Sequence, residues 1–481
     1  MSDEQQPQSP SQSNEPQQPQ NQTGESNPPR QGDNGVDGGN QPQGGGGRFV
    51  DRPRRGGNRN QRGRRPFRNH RHDDRMGRGP NDQGIQGPGP DEFSPSVVTG
   101  AAAGDNPVQD GPPVEPTYAE GVVELSDKGF GFLREARRSY AATQNDIFIT
   151  PDVIRQHGLR DGVLIKGETR RGPRGIQLFR ATEIEGDAPE KYIDIPLFEE
   201  LTTISPNKRI RLETVPERFT TRVIDLMTPV GKGQRGLIVA PPRTGKTTLL
   251  QHIAGAVVKN HPEMKLIILL VDERPEEVTE IRRTIPEAEL YASSNDSDLR
   301  SHTRIAQIAI DRAKRLVEQG RDVFVLMDSL TRIGRAFNNA MGGGGRTMSG
   351  GMDSRAMEIP RKLFAAARNT EEAGSLTIMA TALIETNSRM DDLIFQEFKG
   401  TGNMEIVLDR KISDQRIYPA IDIFLSGTRR EELLLNPEDL HKINIIRRGL
   451  AGHKPIEAIE RLLFFIRRYP TNVELLKNIP G

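Results

Sequence analysis

The segment Gly236-Leu-Ile-Val-Ala-Pro-Pro-Arg-Thr-Gly-Lys-Thr-Thr248 constrains the fold more than any other part of this chain. An apolar run leads into a short turn carrying Gly245, Lys246 and Thr247, and a helical pattern begins at once. That order presents backbone N–H groups and a helix N-terminus to a phosphate chain. It also sets a Lys on the β- and γ-phosphates and offers a hydroxyl to Mg²⁺. The reading is a strand–loop–helix binding ATP with Mg²⁺, through Pro242, Arg243, Thr244, Gly245, Lys246, Thr247 and Thr248. The loop pattern asks for Gly where Ala240 stands, so the match is incomplete. Taken alone, the segment could also be an ordinary strand–turn–helix with a chance Gly-Lys-Thr.

The 481 residues suffice for two or three domains with a substantial core. Zero Cys excludes disulfides and Cys-ligated zinc or iron–sulfur sites, and it suits a reducing cytoplasm. The opening Met-Ser-Asp-Glu-Gln-Gln-Pro has neither a basic n-region nor an apolar h-region. The longest apolar runs, such as 266–271, are far short of a membrane span. The expectation is a soluble, cytoplasmic protein with no membrane contact. The net charge of +1 conceals an uneven distribution. Residues 48–78 hold twelve Arg, three acids and no Lys, a local excess of about +9 before His70 and His72.

No Leu precedes Leu125 and no Lys precedes Lys128. Residues 1–116, rich in Gln, Asn, Pro, Gly and Arg, cannot bury enough surface to offset chain entropy, so a disordered arm is expected there. Its Arg/Gly tract reads either as a flexible RNA binder or as a solubilising tail. Residues 117–186 carry five short β-type runs separated by Gly and Asp turns, which predicts a small five-stranded barrel. Residues 187–224 form a connector with a short helix around 197–201. From 225 to 481 strands alternate with helices. The apolar runs 237–240, 266–271, 323–327 and 376–380 suit a mostly parallel sheet covered on both faces, and 455–468 forms an amphipathic C-terminal helix.

A phosphate loop becomes a catalyst when a carboxylate supports the metal and another group polarises water. The run 323–327 ends in Asp328, placed to hold Mg²⁺ through water beside Thr247. The run 266–271 ends in Asp272-Glu273-Arg274, and Glu273 is the proposed general base if its strand neighbours the loop strand. Ligands bind beyond the carboxyl ends of parallel strands, which puts these groups in one crevice. Strand-ending acids also serve simply as helix caps.

Lys128-Gly-Phe-Gly-Phe-Leu-Arg134 followed by Asp146-Ile-Phe-Ile149 has the pattern of a cold-shock or OB-type surface. Alternation places Phe130 and Phe132 on one face, a neighbouring strand adds Phe148, and Lys128 and Arg134 flank them for phosphates. One or more of these rings could instead belong to the barrel core. The stretch 339–351 is too glycine-rich for a helix and too long for a tight turn. Arg346 within it can hold phosphate, although the stretch reads equally as a surface loop.

Together with the phosphate loop, Val271-Asp-Glu-Arg-Pro-Glu-Glu-Val-Thr279, Glu397-Phe-Lys-Gly-Thr-Gly-Asn-Met404 and Ser426-Gly-Thr-Arg429 resemble the Rho family of bacterial transcription termination factors, over roughly residues 118–470. Members of that family also carry Ala where Ala240 stands. The resemblance implies a RecA-like P-loop ATPase domain preceded by an OB/cold-shock-like β-barrel, assembled as a homohexamer with ATP at subunit interfaces. It implies an RNA-dependent ATPase and 5′→3′ helicase that terminates transcription, with RNA polymerase and elongation factors as partners. The barrel would hold C-rich or pyrimidine-rich single-stranded RNA. The loops around Arg346 and Arg389 would grip RNA in the pore, with Arg389 standing where the family commonly has Lys. Arg429 would act as an arginine finger on the neighbouring subunit, with Arg274 close by. Read without the resemblance, Arg429 is a surface salt-bridge residue beside Glu431 and Glu432. A small helical domain common in the family before the barrel has no counterpart in residues 1–116.

Overall fold

A computed structural model of the protein describes residues 117–341, 351–353 and 355–480. The expected disordered arm, 1–116, and Arg346 lie outside the described residues. Apolar side chains turned to one side of short strands build the first domain. Strands β1 (Thr117–Leu125), β2 (Gly131–Arg134), β3 (Ile147–Ile149), β4 (Leu164–Gly172) and β5 (Gly175–Ile184) close into a barrel in the order β1-β2-β3-β5-β4. Val123, Leu133, Ile149, Ile165, Leu178 and Ile184 point inward and are almost wholly excluded from water. A short helix, α1 (Pro151–His157), adds Val153 to that core; it opens with Pro151 at N1 and Thr150 as its cap.

The connector is more structured than a linker. Its β6 (Thr203–Ile204) and β7 (Arg209–Ile210) precede α2 (Phe219–Met227) and β8 (Val230–Gly231), with β7 pairing β8. A single 3₁₀ turn, Phe198–Glu200, stands where a short helix was expected.

The second domain alternates strands and helices: β9 (Arg235–Ala240), α3 (Lys246–Asn260), β10 (Lys265–Glu273), α4 (Pro275–Thr284), β11 (Glu289–Ser294), α5 (Leu299–Glu318), β12 (Val323–Asp328) and α6 (Leu330–Ala340). After them come α7 (Glu358–Ala365), β13 (Arg368–Thr370), β14 (Ser375–Leu383), α8 (Arg389–Lys399), β15 (Met404–Val407), α9 (Arg410–Asp414) and β16 (Gly427–Thr428). The chain finishes with α10 (Pro437–Leu450), α11 (Pro455–Arg467) and α12 (Asn472–Lys477). The sheet runs β11-β10-β12-β14-β9-β15-β16, and β6 joins it through β13. From β11 through β15 its strands are parallel.

Both sheet faces are buried, so the central strands are mainly apolar, with Thr377 and Thr381 of β14 among the buried hydroxyl residues. In β10, Ile268 and Leu270 enter the core shared with α3 and the C-terminal helices, while Ile267, Leu269 and Val271 enter the one under α5 and α6. An edge strand leaves unpaired backbone groups that invite other chains. Here the barrel sits beside the β11 edge: the Tyr140 ring stacks on Tyr291 with centroids 4.0 Å apart, and Glu185 pairs with Arg312 of α5 at 2.5 Å.

Candidate active site and nucleic-acid interface

The phosphate loop owes its shape to two residues. Gly245 has φ of +84° at the N-cap of α3, a left-handed conformation that costs a side-chain-bearing residue about 1–2 kcal/mol. Thr244 is buried, and its hydroxyl donates to the Pro241 carbonyl at 2.8 Å, so this side chain closes the loop on itself. Pro242, Arg243 and Thr248 are exposed around the mouth, and Thr247 opens toward the crevice one residue into the helix.

Lys246 gathers the two strand-end carboxylates. Its Nζ is bonded to Asp328 and lies 3.6 Å from Glu273 Oε1, with both acids buried. Asp328, at the end of β12, is oriented by the Thr381 hydroxyl, which donates to it at 2.7 Å. Glu273, at the end of β10, pairs with Arg332 at 3.4 Å. Burial and the adjacent Asp328 carboxylate push the Glu273 carboxyl above its usual range, against the pull of Lys246 and Arg332.

One sequence expectation is corrected here. The strand carrying Glu273 does not neighbour the loop strand, because β12 and β14 lie between β10 and β9. The groups still meet because α3 begins at the carboxyl end of β9 and crosses the sheet, so that Lys246 reaches over the intervening strands. Arg274 caps α4 directly after Glu273 and is exposed. Arg429 stands apart. Its backbone N–H donates to Asn403 O at 2.9 Å, and its neighbour Thr428 pairs with Met404, which in turn pairs with Gly236. That places Arg429 near the amino end of β9, whereas the phosphate loop leaves the carboxyl end. It is exposed and lies far from its own chain's crevice.

Sequence reasoning missed two parts of this site. Arg332 clasps Glu273 and also pairs with Asp272 Oδ2 at 3.3 Å. Nothing in the spacing announces a partner 59 positions away. The second part is a pocket of about 480 Å³ beside the loop, lined by Phe219, Thr220, Thr248, His252 and Tyr418. His252 Nδ1 lies 3.1 Å from Thr220 Oγ1, and burial lowers the pKa of this imidazole. The pocket's aromatic walls and its place at the loop mouth suit a nucleotide base.

On the barrel, Phe130, Phe132 and Phe148 converge, with centroids 5.7, 5.4 and 5.9 Å apart. Phe132 and Phe148 face each other across β2 and β3, and Phe130 joins them from the β1–β2 turn. Lys128 is exposed at that turn. Arg134 departs from the expectation of an open phosphate contact. It is buried at 7% exposure, bonded to Asp146 and, at 2.5 Å, to Glu124, with its guanidinium 5.0 Å from the Phe132 ring. Two carboxylates already occupy its donors, so it braces the platform. The exposed Arg174, which the sequence reading passed over, lies 5.3 Å from the Phe148 ring.

Arg389 opens α8 and is exposed, with Ser388 as the cap. Two residues on, Asp391 is fully buried and receives Arg335 at 2.7 and 2.5 Å and the Thr386 hydroxyl at 2.6 Å. Arg335 lies three residues beyond Arg332 on α6, so one helix carries both the clasp on Glu273 and the anchor of the Arg389 loop.

Residues 119–190 match the RNA-binding domain of the Rho termination factor, and residues 220–428 match the nucleotide-binding domain of the ATP synthase alpha/beta family. The transcription termination factor Rho of Aquifex aeolicus is 50% identical over 367 residues, spanning 75% of this chain and 84% of that protein. The chain belongs to the Rho family. The Rho factor of Pseudomonas aeruginosa is 48% identical, over 76% of this chain and 88% of that protein. For Mycobacterium leprae Rho the identity is 48%, over 75% of this chain and 61% of that longer protein. Among solved structures, a prototypical ATPase from the type III secretion system of pathogenic bacteria superposes with a TM-score of 0.50 at 24% identity. The match covers 58% of this chain and 87% of that one. This likeness concerns the fold alone, a RecA-like ATPase domain. The barrel is an RNA-binding domain and the second domain binds ATP.

Proposed function

We propose that this chain is an RNA-dependent ATPase whose homohexameric ring pulls C-rich or pyrimidine-rich single-stranded RNA in the 5′→3′ direction and terminates transcription by disengaging RNA polymerase, with elongation factors as further partners. The observation that carries this reading is Lys246 held between Asp328 and Glu273 in a chain whose barrel gathers three convergent rings, with Phe130 and Phe132 partly exposed and Phe148 buried. A non-catalytic RNA-binding protein with a relict nucleotide fold would have no need to keep two buried carboxylates gathered on that lysine. No helix among the described residues is long and apolar enough to cross a membrane, and we place the activity in the cytoplasm.

In this reading the triphosphate lies along the loop N–H groups and draws Lys246 from Asp328 onto the β- and γ-phosphates. Glu273 then accepts a proton from water as its oxygen attacks the γ-phosphorus, and the bond to the β-bridging oxygen breaks to leave ADP and phosphate. Among the described residues no group of three or more His, Asp or Glu side chains gathers as a metal site. That suits Mg²⁺, which keeps several waters and takes few protein ligands. Thr247 would supply a hydroxyl and Asp328 would act through water, and the ion when bound would neutralise phosphate charge. Arg429 serves the neighbouring subunit, because its own crevice is at the other end of the strand. Arg332 and Arg335 on α6 link the state of Glu273 to the Arg389 loop, so hydrolysis is transmitted to the RNA in the pore.

The test is ATP hydrolysis by the full chain alone, with poly(C) and with single-stranded DNA. Stimulation by poly(C) well beyond that by DNA is expected. Equal rates in all three would defeat the reading.

A further inference from the structure

The ring triad is not the last aromatic surface on the barrel. Tyr118 of β1 and Phe179 of β5 are 56% and 49% exposed on the outer face of the barrel, and Ile176, at the start of β5 on the side of Leu178, is 53% exposed. The strand register connects them to the triad. Phe148 of β3 pairs with Gln177 of β5, Gln177 pairs with Arg170 of β4, and the Arg170 guanidinium carbon lies 3.4 Å from the Phe179 ring centroid. Farther around, Arg180 pairs with Glu168, which pairs with Tyr118 of β1.

Charge follows the same path. Arg170 and Arg180 are exposed on this face, Arg174 is exposed at the adjoining turn and Arg171 at the strand end, and Glu168 is the acid registered among them. The first three line a groove of about 1000 Å³, together with Asp146, which is tied to Arg134. The hairpin Gly172-Pro-Arg-Gly175 sets Arg174 at its turn, above Phe148, so the cations begin where the triad ends. Exposed π-faces interleaved with guanidinium groups form the surface that unstacked bases and their phosphates require. An acidic protein surface would match the cations but leave Phe179 and Tyr118 without flat partners.

We infer that the barrel holds a second single-stranded RNA subsite, on Phe179, Arg170 and Tyr118, which continues the strand leaving the Phe130–Phe132–Phe148 platform. The inference rests on that platform being the first RNA grip. The bases stack on Phe179, while Arg170, Arg171 and Arg174 meet the phosphates along the groove. Each added base stacks independently of sequence, so the subsite lengthens the footprint without changing which bases the platform prefers.

The measurement is fluorescence anisotropy of the full chain with labelled oligocytidylates of ~3 and ~8 nucleotides, one filling the platform alone and one reaching both surfaces. Phe179→Ala should weaken the longer oligomer about five- to tenfold and leave the shorter unchanged, while Phe179→Tyr keeps parental affinity for both. Arg170→Gln should reduce the salt slope for the longer oligomer by about one. Phe132→Ala should weaken both lengths; if it spares the short oligomer, the platform itself is wrong. If Phe132→Ala behaves as expected but Phe179→Ala binds the longer oligomer like the parent, the subsite is refuted and the patch is left to a protein partner. Equal losses at both lengths for Phe179→Ala would also refute it, since the residue would then act through the platform.

Discussion

At the scale of single residues, the site depends on how much negative charge one ammonium can hold. Glu273 and Asp328 share Lys246, and Glu273 has Arg332 as a second cation. A general base works deprotonated, so a carboxyl raised above its ordinary value of about 4.3 loses activity on the acid side at a higher pH than a free glutamate would. Arg332 is one of the groups holding that pKa down. Arg332→Gln should therefore move the acid limb of the kcat–pH profile to higher pH at saturating ATP and poly(C), and Arg332→Lys should restore part of the shift. Glu273→Gln should lower kcat by about 10²–10⁴-fold with no acid limb left from this group. An acid limb that stays in place in Arg332→Gln would mean that the arginine does not hold the Glu273 pKa down.

Among elements, α5 carries the ion pairs that join the barrel to the motor. Arg304 bonds Glu124 at 2.6 Å and Arg312 bonds Glu185, while the backbone of α5 passes so close to Gly162 that a Cβ there would lie 2.3 Å from Arg312 N. Gly162 also has φ of +84°. Gly158 has φ of +58° with nothing within 4 Å, so it shares the strain without the contact. Gly158→Ala should cost ~1–2 kcal/mol in thermal unfolding, and Gly162→Ala should cost clearly more because it also pries the barrel from α5. Equal losses would mean the junction tolerates the intrusion. The sequence announced most of these elements, because a sheet buried on both faces writes continuous apolar runs and an amphipathic helix such as α5 writes a 3.6-residue stripe. Short strands escaped it. Strand β11 mixes Tyr291 with Ser and Ala, and β15 holds only four residues, so neither produces a run. The docking pairs and the Arg332 clasp escaped as well, since long-range ion pairs leave no periodic trace. The bracing role of Arg134 was hidden for a related reason: its partner Glu124 lies on another strand and reads locally as a solvated acid.

In the whole molecule, the proposed site is divided in a way a single copy cannot complete. Lys246, Glu273 and Asp328 stand at the carboxyl ends of the strands, and Arg429 is exposed near the opposite end of β9. A closed head-to-tail ring presents the second surface of one subunit to the first surface of the next, which is the heterologous contact that generates cyclic assemblies. A finger delivered this way contributes on the order of 10³–10⁵ in rate, so removing it should silence a ring as thoroughly as removing the phosphate-loop lysine. The two losses differ in where they fall. Lys246→Ala destroys the site on its own subunit but still offers Arg429 to its neighbour, whereas Arg429→Ala keeps its own loop and fails the neighbour. Each variant alone should show almost no poly(C)-stimulated hydrolysis. When the two are unfolded together, refolded and assembled as mixed rings, an Arg429→Ala subunit whose crevice meets a Lys246→Ala neighbour has a complete set of groups, and hydrolysis should reappear well above the sum of the separate preparations. Mixed rings that stay as silent as their parents would place Arg429 outside catalysis, and high activity of Arg429→Ala alone would return it to the role of an ordinary surface arginine.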